Sequence, residues 1–303
     1  MSRMMDLPMI ASLRNLGCIL VVCVTMVCLS VHANEVLYSH AKLTPSQDKT
    51  NVYPIELLRV ALSKVHKRYK LIRIKTPMPQ SRAFRLLASG ESIDIVWSMT
   101  SIEREQAYRP IRIPIHKGLF GLRLPLILSR SQSKFDASTG LDQLSSLVAG
   151  QGHDWPDTII LADAGFSVVS SSTYGGLIGM LEKGRIDFFP RSIVEIWGEL
   201  NGQANLDIVV ERTTALVYPT AIYYFVRKEN TTLYEDVQRG LRASIEDGSF
   251  EILFNDFHLP LIQKANLAER RFFKLNNPLL PAETPLEDPK LWFSIDAYLK
   301  KTQ

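Results

Sequence analysis

The chain has 303 residues, 46% apolar and 22% charged, with a formal net charge of +4. That length allows one or two domains with a sizeable core, and the composition excludes a disordered or fibrous chain. The charge is small and Lys and Arg form no long run; "KVHKRYK" (64–70) reads as the solvated end of a helix, so no nucleic-acid partner is expected.

The N-terminus differs from the rest. Arg3 and Arg14 precede an uncharged apolar run, Leu16 to Val31, and "VHA" stands before Asn34. This is the order of a secretory signal peptide, residues 1–33, cleaved after Ala33. The run is short for a membrane anchor. All three cysteines, Cys18, Cys23 and Cys28, fall inside it. The mature chain is therefore expected to be periplasmic, without disulfides or thiol chemistry.

"EVLYSHAK" (35–42) reads as a strand and "YPIELLRVALSKVHKRY" (53–69) as a helix opened by Pro54. "KLIRIKT" (70–76) alternates like a strand, "SRAFRLLASG" (81–90) is a helix stopped by Gly90, and "IDIVWSM" (93–99) is a strand apolar on both faces. The order βαβαβ implies α/β architecture. After an extended, glycine-broken stretch (112–128) come helices at 139–147 and 155–165 and a strand at 166–171. A helix at 174–184 then leads into a short strand, Ile186–Phe189. A helix at 192–200 and a strand at 206–210 complete a second α/β unit. A strand (221–230) and two helices around Asp247-Gly248 follow, before a proline-rich tail with little periodicity until "LWFSIDAYL".

There is no GxSxG elbow, P-loop, HExxH or CxxC, and His40, His66, His116, His153 and His258 lack metal-ligand spacing. "GQGHDW" (150–155) lacks the third glycine of a dinucleotide fingerprint. No cofactor or metal is expected.

Four stretches carry a resemblance instead: "LLASGESIDIVWSMTSIERE" (86–105), "IPIHKG" (113–118), "LDQLSSLVAGQG" (141–152) and "YYFVRKENTTLYEDVQRGLRASIEDGSF" (223–250). In this order and spacing the chain resembles the type II periplasmic solute-binding proteins, in the branch that serves polar amino acid ABC transporters. The resemblance implies two α/β lobes, residues 34–115 with 221–303 and residues 116–220, joined by two crossing strands near Ile113–Lys117 and Tyr218–Ala221. It implies a monomer that closes on a small-molecule ligand and serves a membrane permease or sensor protein. Strand ends and helix N-termini suit an anion in such a cleft.

The resemblance also implies site residues. Arg104 matches the arginine that grips a ligand carboxylate, a role its two parallel donors suit, and Ser101 matches the adjacent hydroxyl contact. The alternative for Arg104 is pairing with Glu103 or Glu105. Tyr38, Trp97 and Trp155 stand where a ligand would stack, with core packing the alternative for the first two, and Asp154 reads as the N-cap of the helix that follows. In "GRIDFFPR" the second acid expected of an amino-acid binder is replaced by Arg191. If unpaired in the cleft, Arg191 would favour a ligand with two anionic ends or one without an ammonium group; otherwise it points to solvent or pairs with Glu195 one helical turn on. The chain is thus expected to bind rather than catalyse. An enzyme on the same fold, dehydratase-like with Glu103 or Asp154 as its acid, and a non-binding sensory protein are the other classes.

Overall fold

A computed structural model describes residues 33–38, 48–74, 76, 78–135, 140–201, 203 and 205–302. All but the last residue of the expected signal peptide lie outside these. In chain order come β1 (Asn34–Tyr38), α1 (Asp48–Ser63), β2 (Tyr69–Arg73), α2 (Gln80–Ser89), β3 (Ile95–Met99), α3 (Ile102–Ala107) and β4 (Arg109–Ile111). Then follow β5 (Leu122–Leu128), α4 (Leu141–Ser145), β6 (Val148–Gly152), α5 (Pro156–Asp163), β7 (Ser167–Ser171), α6 (Tyr174–Glu182), β8 (Phe189–Ser192), α7 (Ile196–Asn201), β9 (Ile208–Val210) and β10 (Thr214–Val217). The chain ends in β11 (Ile222–Val226), α8 (Thr231–Glu246), α9 (Ser249–Lys264), β12 (Arg271–Lys274) and α10 (Ile295–Thr302).

Two five-stranded sheets organise these elements. The first has the order β2-β1-β3-β11-β4, parallel except where β11 meets β3 and β4. The second has the order β12-β10-β5-β8, with β9 also on β5. β6 and β7 pair in parallel, and a bridge from Ala149 to Phe188 ties them to the segment before β8. Strands β5, β8 and β11 are buried along their whole length, and β11 reads accordingly as a continuous apolar run. Each fully buried large apolar side chain there contributes roughly 1.5–3 kcal/mol.

The chain passes between the sheets from β4 to β5 and back from β10 to β11. The segments lie side by side: the Tyr218 N–H donates to the Gly121 carbonyl at 3.1 Å. One element departs from the expected division. β12, inside the range 221–303, pairs in parallel with β10 of the second sheet. The chain therefore makes a third passage after α9.

Two boundaries also differ. α1 begins at Asp48, so Pro54 lies inside the helix rather than opening it. The strand expected at Ile186–Phe189 runs instead over Phe189–Ser192. Arg191 is thus within a buried strand, not beyond its end. Pro190 is tolerated because β8 borders the sheet, with β5 as its hydrogen-bonded neighbour.

Candidate functional site

The ends of β3 and β6 lead into the short helices that carry the candidate residues. After β3 the chain turns at Thr100 into α3, where the Ser101 hydroxyl accepts the Arg104 N–H at 3.2 Å. Ser101 is therefore the N-cap of α3. Thr100 donates to Glu105 at 2.6 Å, and Arg112 holds Glu105 with two bonds of 2.6 and 2.9 Å. Glu105 is thus engaged away from Arg104.

Arg104 reaches back along its own strand. One terminal nitrogen, Nη1, donates to Ser98 Oγ at 2.8 Å and to the Met99 carbonyl at 2.6 Å. The other, Nη2, donates to Gln80 Oε1 at 3.1 Å, and the guanidinium lies 5.1 Å from the Phe84 ring. Three of its five N–H groups are used among the described residues. Nε–H and one hydrogen of Nη2 remain, the parallel pair that fits both oxygens of a carboxylate. Burial lowers the Arg104 pKa, and the carboxylates of Asp154, Asp157 and Glu103 act against that shift. Asp154 and Asp157 belong to the start of α5, so Arg104 on one α/β unit and α5 on the other share one electrostatic neighbourhood.

The α5 side is built on a network of ionisable groups. Trp155, not Asp154, is the N-cap residue of α5, and Pro156 opens the helix. Asp157 pairs with Arg123 at 2.5 Å and accepts a short hydrogen bond from the Tyr218 hydroxyl. Arg123 reaches Glu195 at 3.4 Å. Glu195 pairs with Arg191 at 2.8 Å, and Glu199 takes Arg191 bidentately at 2.6 and 2.7 Å. The Arg191 guanidinium lies 4.7 Å from the Trp155 ring and 5.0 Å from that of Phe189.

This corrects the expectation of an unpaired Arg191. Its side chain is buried, and both acids lie in salt-bridge range. Burial pulls its pKa down, but Glu195 and Glu199 more than reverse this and hold the guanidinium charged. Burial raises the Glu195 pKa, helped by Glu199 and Asp157 and opposed by Arg191 and Arg123. Two guanidinium groups thus face three carboxylates, one more than they can match.

The remaining candidates form a small aromatic group at the first sheet. Tyr38 ends β1 with its ring 6.0 Å from that of Trp97 on β3, and Trp97 meets Tyr224 edge-on at 6.4 Å. Tyr38 is buried and Trp97 half-buried. Of the six candidates, two groups emerge: Trp155 with Arg191, and Tyr38 with Trp97. Ser101 and Arg104 share α3.

Sequence reasoning missed Gln80, Ser98, Arg123, Asp157, Glu199 and Tyr218. It also missed that His116 and His258 are neighbours, with a 2.8 Å hydrogen bond between their rings. Among the described residues no group of His, Cys, Asp and Glu could hold a metal ion, and no helix is long and apolar enough to cross a membrane.

Neither a protein-family model nor a curated protein matches the sequence. Solved structures do match the fold. A probable amino-acid ABC transporter extracellular-binding protein from Bacillus subtilis superposes with a TM-score of 0.56 at 16% identity, covering 75% of this chain and 98% of its own. A Salmonella typhimurium periplasmic binding protein described for high arginine specificity gives 0.56 at 14% identity, covering 74% and 99%. A histidine kinase sensor domain similar to periplasmic binding proteins gives 0.55 at 16% identity, covering 75% and 97%. The fold is that of the two-lobed type II periplasmic binding proteins.

Proposed function

We propose that this chain is a periplasmic solute-binding protein, a monomer that captures a small polar metabolite bearing a carboxylate and presents it to a membrane permease or a sensor protein. The observation that carries this reading is Arg104. Ser98, Met99 and Gln80 fix its guanidinium and leave one parallel pair of donors unspent. A carboxylate there would gain two charge-assisted bonds at little cost in side-chain entropy. Trp155 and the start of α5 supply the opposite wall, and turning of the passages beside Gly121 and Tyr218 closes the two lobes, 34–115 with 221–303 and 116–220, with β12 joining the second.

The ligand class narrows once Arg191 is paired. A second anionic end would have faced an unpaired Arg191, but Glu195 and Glu199 neutralise it. A single carboxylate with a polar or cationic remainder fits better, because Asp154 and the network's surplus carboxylate lie on the α5 side. Tyr38 and Trp97 offer an aromatic wall on the other.

The test is a thermal-shift screen of amino acids and small carboxylates, followed by calorimetric titration of the best hit. Ligand at about 100 times Kd adds roughly 2.7 kcal/mol of stability. Arg104→Ala should weaken binding about ten- to a hundred-fold and Arg104→Lys nearly as much, since lysine lacks the parallel fork. An Arg104→Ala variant with unchanged affinity removes the carboxylate site from α3.

A further inference from the structure

A second cavity lies away from Arg104. It occupies about 390 Å³ where both passages between the sheets meet the C-terminal segment. Leu122 and Val217, from β5 and β10 where the two passages join the second sheet, form part of its wall. Trp292 and Phe293 close it from the tail.

These walls are held in place. The Phe293 N–H donates to the Lys117 carbonyl at 2.9 Å, and the Trp292 indole donates to the Pro285 carbonyl at 2.7 Å. Leu275 bonds to the Val217 carbonyl at 2.8 Å, and the Asn277 side chain to the Pro219 carbonyl at 2.9 Å. The tail also reaches α3, where the Ile102 N–H donates to the Leu279 carbonyl at 3.0 Å. A side chain on Gly118 would stand 2.7 Å from the Trp292 ring, so tail and first passage are in close contact.

Four polar residues line this space, and two of them are engaged elsewhere, Lys117 with Glu251 at 2.7 Å and Tyr218 with Asp157. Thr220 is fully buried, and its hydroxyl has no hydrogen-bond partner among the described residues. Such a group costs free energy unless something bonds to it. Lys274, at the end of β12, is exposed and lines the same cavity. Aromatic and aliphatic walls beside one exposed cation are the complement of an amphipathic anion.

We propose that this cavity is a second ligand site, for an amphipathic monocarboxylate of roughly a dozen non-hydrogen atoms, the number that interior packing density allows in this volume. Its carboxylate pairs with Lys274 and its apolar body lies against Trp292, Phe293 and Val217. A molecule lodged there touches both passages and the tail at once, so its binding opposes a change in the angle between the sheets. This site stands independently of what the Arg104 side binds.

The experiment titrates the purified protein with octanoate and 3-phenylpropanoate, using octanol and 3-phenylpropanol as uncharged controls. Tryptophan fluorescence and thermal shift are read together. Octanoate is expected to change the fluorescence and raise the melting temperature, with octanol at least tenfold weaker. Lys274→Gln should weaken octanoate about tenfold and Arg104→Ala not at all. Trp292→Phe should remove the fluorescence response but keep the thermal shift. Lys274→Gln lies on the surface, so it folds whether or not the Trp292 variant does. The proposal is overturned if neither acid binds up to roughly 10 mM, if octanol binds as tightly as octanoate, or if Arg104→Ala abolishes binding that Lys274→Gln leaves intact.

Discussion

Arg191 and Glu199 form a buried bidentate ion pair, with bonds of 2.6 and 2.7 Å between strand β8 and helix α7. Removing one partner of such a pair strands a charge in a low-dielectric interior. Glu199→Ala should therefore cost roughly 3–5 kcal/mol in urea unfolding. Glu195→Gln should cost far less or nothing, because the network holds one carboxylate more than its guanidinium groups can match. Equal losses for both variants would mean that Glu195 carries the pairing and the network has no surplus charge.

His116 and His258 make the fold sensitive to acid. The His258 Nδ1–H donates to the Phe254 carbonyl at 2.9 Å, so its Nε2 must accept from His116 Nδ1–H at 2.8 Å. Both rings are neutral and pack against Tyr53, while the nearby Lys117 is balanced by Glu251 at 2.7 Å. Burial lowers the His258 pKa to about 4 and that of His116 well below its usual value. The unfolded chain takes up protons near pH 6.5 and the folded chain only near 4, so stability falls as pH drops through that window. It is unaffected above the window. The loss from His258 alone is of the order of 3 kcal/mol. Urea midpoints measured from pH 7.5 to 4 should show the decline, and His258→Phe should make it shallower even if its stability at pH 7 is lower, with buried His116 keeping its own share. An equally steep decline in the variant would mean that His258 contributes nothing to it.

Much of the fold is legible because its determinants are local. Continuous apolar runs mark β3 and β11, and the period of α8 marks its buried face. The tail is not: β12 is four residues, and its place in the second sheet follows from pairing with β10, which no local pattern announces. The site divides in the same way. Arg104 is reached through the family resemblance, whereas its anchor Gln80 lies 24 residues earlier on another helix. Arg191 with Glu195 is a visible spacing, but Glu199, eight residues on, becomes a partner only because the strand runs through Arg191 and a turn carries α7 back over it. The two histidines are 142 residues apart, and only the packing of α9 against the first passage joins them.

Export should leave the first sheet whole. β1 begins at Asn34, the residue after the expected cleavage point, and its N–H donates to the Arg68 carbonyl at 2.8 Å. Cleavage after Ala33 therefore removes no strand residue. N-terminal sequencing of the exported protein should read Asn34-Glu35-Val36. A start at Met1, or an acylated cysteine, would replace the cleaved leader with an anchor.

The place where the passages touch should tolerate no side chain. A Cβ on Gly121 would stand 1.9 Å from the Tyr218 carbonyl oxygen, a backbone atom that cannot rotate away. Relief requires the two passages to separate, which strains the bond from the Tyr218 N–H to the Gly121 carbonyl at 3.1 Å. Gly184 is the control. It has a positive φ of 66° but open space around its Cβ, so alanine there meets only backbone strain, about 1 kcal/mol. Gly121→Ala should cost at least about 3 kcal/mol, the scale of an overpacked core. It should also alter the relation of the lobes, visible as a changed radius of gyration in solution scattering. If Gly121→Ala is no worse than Gly184→Ala and leaves the scattering curve unchanged, the passages are loosely apposed and do not govern the angle between the sheets.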